Sequence, residues 1–347
     1  MKNAYISGLA AEQIVTSFFL VCEKEVRSTR EGKPYLRLEL GDRTGTIEAR
    51  MWDRFEEAAQ AVQRDDIVKI QARVEVYKNK PQLMLDRMRP AEPAEIDLAD
   101  YFPHTREDVE KLYADLQGYA ASIADEWLRR LAVSVIEDPL IAPRLKRAPA
   151  AKLMHHAYLG GLLEHVVSLC GLCRAAAAHY PEVNADLLLT GAILHDVGKL
   201  DELCYERALG YTTPGQLLGH IVMELETVTK KIDAIPGFPP ELKTLVQHML
   251  ISHHGEYEFG SPKLPMFREA VMLHYLDDLD SKMEAMRSSL ASEKGEGEWT
   301  DWSAALDRRL LRVEEFWKRD VAVGLPPDPA QPGLFSESGG SSKVKEK

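Results

Sequence analysis

Residues 191–200 read GAILHDVGKL. Four residues of helix interior, Gly191 to Leu194, run straight into His195 and Asp196, with Gly198 and Lys199 just behind. A histidine and a carboxylate at the end of a buried helix need a partner, because an unpaired charge in an apolar setting is costly. The same juxtaposition recurs outward from this stretch. His165 sits in GLLEHVVSL, His220 in QLLGHIVME, the pair His253 and His254 in LISHHGEYE, and Asp277 in LHYLDDLDSK. One such histidine is an ordinary core residue. Five such sites in one helical region would repel one another when charged and lie unsatisfied when neutral, unless a cation gathers them. The pattern points to a metal site.

With 347 residues, 45% of them apolar, the chain is expected to form two globular domains. Glu12 and Gln13 interrupt the apolar opening segment, and no run approaches the roughly 18 residues of a membrane span. No membrane partner and a cytoplasmic location are therefore expected. The four cysteines include Cys170 and Cys173 at helical spacing among apolar neighbours, where small core residues are expected rather than half of a zinc site. The net charge of -12 is unevenly spread: residues 1–90 hold 16 Lys and Arg against 14 Asp and Glu, leaving 27 against 41 for the rest. A polyanion-binding front and a cation-binding back are compatible with that asymmetry.

Within residues 1–90 the apolar period is two: SFFLVCEKEV, PYLRLEL, GTIEARMW, DIVKIQARVEVY and PQLMLDRM alternate, with FEEAAQAV as one short helix. Five strands with a helix after the third is the order of an OB-fold barrel. If Leu36, Leu38, Leu40, Ile47, Ala49 and Met51 point inward, then Tyr35, Arg37, Arg50 and Trp52 share the outer face. Two aromatics and two arginines there suit base stacking and phosphate pairing on a single strand. Residues 91–104, rich in Pro, Ala and acid, read as a linker. From 105 to 323 the period becomes 3.6, with Thr105 and Asp108 as a capping box and helices expected near 106–123, 125–137, 160–179, 184–196, 215–233, 240–252, 265–292 and 300–319. Residues 324–347 have the composition of a disordered tail.

The string GKPYLRLELGDRTGTIEARMW resembles OB domains of the replication-protein and tRNA-anticodon type. A histidine, a His-Asp doublet followed by Gly-Lys, later histidines and a final helical aspartate resemble the HD-domain metal-dependent phosphohydrolases. The fold class implied is an N-terminal all-β OB barrel joined to a C-terminal all-α HD bundle. The resemblance implies His165, His195, Asp196, His220, His253, His254 and Asp277 as metal ligands, with Asp278 leaving the last register open. Asp280 and His274 then fall in supporting positions, and His155 and His156 at the substrate rim. Ligands of N and O type without thiolate favour two octahedral cations, Mn²⁺ first and Fe²⁺ or Mg²⁺ next, bridged by Asp196. Lys199 is expected on a phosphate oxygen.

MHHAYLGGLLEHVVSL and GYTTPGQLLGHIVMELE, with the barrel, narrow the likeness to the YhaM-type 3′→5′ exoribonucleases. That implies removal of nucleotides from the 3′ end of single-stranded RNA, with single-stranded DNA as a further substrate. Two other readings stand beside it: a small-nucleotide phosphohydrolase with a regulatory barrel, and a non-catalytic nucleic-acid-binding protein. A homo-oligomer is compatible with the sequence, and Gln331 to Phe335 (QPGLF) faintly resembles a sliding-clamp-binding peptide.

Overall fold

The structure, a computed structural model, describes residues 2–29, 31–78, 80–102, 104–151, 158–205, 210–292 and 297–323. His155, His156, the QPGLF segment and the tail 324–347 lie outside the described residues. The first five strands are β1 (Ile14–Ser28), β2 (Pro34–Asp42), β3 (Gly45–Met51), β4 (Ile67–Tyr77) and β5 (Lys80–Pro90), with α1 (Phe55–Ala61) after the third. They close into a barrel in the order β1-β2-β3-β5-β4. The β3–β5 pair is parallel and the others antiparallel. This is the OB fold, and the pleat falls as the alternation predicts: Leu36, Leu38, Leu40, Ile47, Ala49 and Met51 are all buried.

A bulge at Cys22 bends the long first strand. Its thiol occupies the space a side chain on Gly41 would need, 2.7 Å from where that Cβ would stand. The linker is packed down. Tyr101 and Phe102 are buried against Phe18, Leu20 and Ile67 on the outside of the barrel wall. The Arg43 amide donates to the Asp100 carbonyl, and the Tyr5 hydroxyl to its carboxylate.

The helical part comprises α2 (Val109–Ala121), α3 (Glu126–Ile136), α4 (Ala142–Leu145), α5 (Gly161–His179), α6 (Ala185–Leu194), α7 (Lys199–Glu202), α8 (Thr213–Leu218), α9 (His220–Asp233), α10 (Pro240–Ser252), α11 (Arg268–Ser292) and α12 (Val313–Val323). A two-stranded ribbon, β6 (Leu203–Cys204) with β7 (Gly210–Tyr211), interrupts them. The apolar faces of α2, α3, α5, α6, α9 and α10 converge on one core. The chain groups into two compact units that divide after Ala285, so the barrel and the helices bearing the candidate ligands share the first.

Four expectations are corrected here. The cap of α2 is Asp108, whose carboxylate accepts from the amides of Glu110 and Lys111. Thr105 instead donates its hydroxyl to Glu164 at 2.5 Å. The helix expected over 215–233 is broken at Gly219, where φ 75 and ψ 158 are open only to glycine. Residues 300–312 form irregular bridges rather than helix. Finally, α5 is long and apolar enough to cross a membrane by length and composition, at a mean hydropathy of 1.3 over its best window. Its apolar residues Leu162, Leu163, Val166 and Leu169 are buried in the helical core, and so are the free thiols of Cys170 and Cys173.

Candidate functional site

Most candidate ligands sit at or near the end of an element, whereas Asp277 lies within α11. His165 lies in the second turn of α5. His195 and Asp196 occupy the turn between α6 and α7. His220 opens α9, His253 and His254 follow α10, and Asp277 and Asp280 lie one turn apart on α11. Folding gathers them into two groups. His165, His195 and Asp277 each bring one ligand atom within 4.8 Å of the others, and so do His220, His253 and His254. Asp196 stands between the groups. Its Oδ2 is 3.7 Å from His165 Nε2 and 3.2 Å from His195 Nε2, and its Oδ1 is 3.8 Å from His220 Nε2.

Hydrogen bonds fix one tautomer throughout. The Nδ1 atoms of His195, His253 and His254 lie 3.0, 2.7 and 2.7 Å from the carbonyls of Ala192, Leu250 and Phe259. A carbonyl only accepts, so each Nδ1 carries the hydrogen and each Nε2 offers its lone pair inward. Carboxylates do the same for the other two: Asp280 lies 2.8 Å from His165 Nδ1, and Glu202 lies 3.2 Å from His220 Nδ1. Five imidazoles therefore turn the same nitrogen toward one place. Asp196 Oδ1, His220 Nε2 and His253 Nε2 are buried there without a hydrogen-bond partner, and His165 Nε2 faces His195 Nε2 at 3.3 Å. Converging lone pairs of this kind fit divalent cations, which satisfy them all at once.

The electrostatics agree. Burial works against a charge on His165, yet hydrogen bonds to Asp277 and Asp280 overcome it and lift its pKa to about 9, so a cation that takes its Nε2 displaces a proton from it. Asp196 is held well below the usual carboxylate range, since Lys199 and His195 outweigh its burial. Burial pushes His253 well down, so it is a neutral donor. The cage is built to hold positive charge.

Asp277, rather than Asp278, faces the cage, with its Oδ1 3.2 Å from His165 Nε2; Asp278 pairs with Lys282 at the surface. Asp280 accepts from Ser168 as well as His165 and so orients the imidazole. His274 Nδ1 lies 3.0 Å from the His253 carbonyl, and its ring packs on Gly255, where a Cβ would stand 2.3 Å from it. Lys199 Nζ is 2.7 Å from Asp196 Oδ2. Two acids escaped the sequence reading. Glu202 lies in KLDE and looks like a surface residue until the fold sets it against His220. Glu224 is fully buried with neither oxygen bonded, 3.5 Å from His253 Nδ1, and burial raises its pKa well above the ordinary value. Its spacing of four from His220, one face of α9, was the available signal.

On the barrel, Tyr35 and Trp52 stack with ring centroids 4.5 Å apart. Lys33 Nζ lies 5.9 Å from the Trp52 ring, and the Arg50 guanidinium 5.9 Å from Tyr35. The arginines are already paired: Arg37 reaches Glu23, Glu25 and Glu48 at 3.2 to 3.4 Å, and Arg50 reaches Glu48 at 2.6 Å. The alternation that turns Arg37 and Arg50 outward turns these glutamates outward too, so a phosphate on this face competes with them.

Comparison with known proteins places both halves. Residues 21–91 match the OB-fold nucleic acid binding domain family and residues 162–282 the HD domain family. The chain is 33% identical over 305 residues to the 3′-5′ exoribonuclease YhaM of Bacillus subtilis (strain 168), covering 88% of this chain and 96% of that one. It is 36% identical over 282 residues to the protein of the same name in Geobacillus sp. (strain WCH70), covering 80% and 85%. Barrel, helical cage and full-length similarity agree: the chain belongs to the family of YhaM-type 3′-5′ exoribonucleases.

Proposed function

We propose that the protein is a metal-dependent 3′→5′ exoribonuclease that cleaves single-stranded RNA at a dinuclear centre. The observation that carries this reading is the position of Asp196, one oxygen turned to each group of three ligands. His165, His195 and Asp277 would hold one divalent cation, and His220, His253 and His254 the other, with Asp196 shared. Donors of N and O type without thiolate suit Mn²⁺ before Zn²⁺. When bound, such a pair supplies a nucleophilic water at neutral pH and offsets charge on the attacking and leaving oxygens. The protein's own groups do the rest. Asp280 and Glu202 hold the imidazoles in register. Lys199, once Asp196 is neutralised by cations, presents its ammonium to a non-bridging oxygen of the scissile phosphate.

A single-stranded RNA 20-mer labelled at either end, incubated with the purified protein and Mn²⁺, tests the reading, with a DNA 20-mer in parallel. Mononucleotides released stepwise from the 3′ end are expected. Turnover of free nucleotides alone, or binding without turnover, overturns it. The barrel gives a second prediction. Replacing Tyr35 and Trp52 together with alanine weakens binding of the 20-mer by about 1 to 3 kcal/mol per base lost from the stack. Hydrolysis of bis(p-nitrophenyl) phosphate, which has no bases, stays at the wild-type rate. Filter binding and a colorimetric assay read the two effects, and unchanged degradation of the long strand removes this face from the binding path.

A further inference from the structure

His165, His195 and His253 are at most 1% exposed, whereas the side chains of Asp277 and His220 keep 17% and 12% of their surface and His254 is also partly exposed. The pair His220 and His254 forms one open side of the candidate centre, past which a phosphodiester can approach. Their rings lie 5.0 Å apart. A tight turn, residues 255–261, grows directly from His254 and folds back onto it, because His254 Nδ1 donates to the Phe259 carbonyl at 2.7 Å. The turn is tied at both ends. Gly255, at φ +78, lies flat on the His274 ring, Gly260 adopts φ +82, and the buried Ser261 hydroxyl bonds the carbonyls of Ile251 and Lys263. Backbone bonds from Phe259 and Ser261 to the Glu256 carbonyl close it internally.

The turn alternates acids with aromatics: Glu256 and Glu258 are exposed, and so are Tyr257 and Phe259, at 60% and 61%. Helix α8, which leads into His220, likewise leaves Leu217 and Leu218 at 77% and 54%. Apolar side chains therefore flank both ligands on the open side of a centre whose substrate is charged. A phosphate offers them nothing, but the bases attached to it do: every base has a π-face, and stacking is indifferent to sequence, as an enzyme that must remove each nucleotide in turn requires.

We propose that the turn 255–261 is a base-stacking platform, with Phe259 and Tyr257 holding the nucleobases nearest the scissile phosphate. This rests on the exoribonuclease reading above. By its hydrogen bond to His254, the turn links the position of the stacked base to the position of a ligand, so the phosphate is presented in register.

Phe259→Ala and Tyr257→Ala, singly and together in the full chain with Mn²⁺, test the proposal against RNA 20-mers and against a base-free diester, a 20-mer whose 3′-terminal nucleotides are abasic and offer no ring to stack. The KM for RNA is expected to rise about 5- to 150-fold, the range that loss of one stacked base represents. Hydrolysis of the base-free diester and the metal content stay at wild-type values, and Phe259→Trp restores the KM. An unchanged KM in all variants overturns the platform. So does a KM rise accompanied by loss of metal or of base-free turnover, which marks a merely structural turn. A fall in oligomeric size without a change in KM overturns it in favour of a subunit interface. A wild-type protein that binds Mn²⁺ and hydrolyses bis(p-nitrophenyl) phosphate but releases nothing from RNA overturns the underlying reading instead.

Discussion

Asp196→Asn is expected to lower RNA hydrolysis by about 10³-fold or more and to strip the protein of divalent metal, while the helices keep their fold. The size follows from what the carboxylate does. Charge stabilisation by a metal pair is worth several kcal/mol, and each 1.36 kcal/mol is tenfold in rate. Asp196 lies within 4 Å of candidate ligands from both groups. Its loss therefore takes one donor from each cation rather than two donors from one. Asparagine is the informative replacement because it keeps the volume and can still accept from Lys199 Nζ, which sits 2.7 Å away. Alanine would leave that ammonium unpaired in a buried setting, at a cost of about 3 to 5 kcal/mol, and would confuse loss of chemistry with loss of fold. Elemental analysis, a labelled-strand assay and thermal melts on the same preparation read the three effects. Retention of either full metal content or full activity by Asp196→Asn rules out the shared carboxylate.

Much of this was legible in the chain. Period-two alternation over residues 17–88 is a strong signal because one face of each strand fills the barrel, and a slip of one residue would turn Leu36, Leu38 and Leu40 to solvent. The candidate ligands stood out because histidines and acids among apolar helix residues have no bland explanation in such number. What was hidden depends on contacts across the chain. Glu202 orients His220 from eighteen residues away, a pairing no helical period encodes. The glutamates that hold Arg37 lie on two different strands, β1 and β3, so the cation pairing on the barrel face emerges only once the sheet is closed. The register of the last ligand was undecidable from LDDLD, because adjacent aspartates differ only in which way the helix faces. The packing of α11 turns Asp277 inward and leaves Asp278 to Lys282. The helix broken at Gly219 was missed for a related reason. A glycine with ordinary neighbours carries no mark of its φ until α8 and α9 must both pack on α7.

Gly198→Ala carries the second large effect, and it acts through packing alone. Gly198 has an ordinary helical backbone, φ -66 and ψ -23, which alanine adopts freely, so strain in its own dihedrals is not the issue. The issue is space. A Cβ there would stand 2.1 Å from the His220 carbonyl oxygen and 2.8 Å from the Glu224 amide nitrogen, both backbone atoms of the first turn of α9. Neither can rotate aside. The methyl group must push the start of α9 away from the turn that carries Asp196, and His220 moves with it. Overpacking of this kind costs about 1 to 3 kcal/mol of stability. Displacing a catalytic group by about 1 Å costs on the order of 10²-fold in rate. The cation proposed at His220, His253 and His254 is expected to weaken first, with the one proposed at His165, His195 and Asp277 retained, so metal content falls toward half before activity is regained at high Mn²⁺. Gly118→Ala is the control: it lies in α2 with nothing within 4 Å of its Cβ, and alanine there is expected to stabilise by roughly 0.5 to 1 kcal/mol. If Gly198→Ala melts and binds metal as the wild type does, α9 is not pressed against the His-Asp turn, and the glycine two residues after the doublet has some role other than letting two ligand-bearing elements touch.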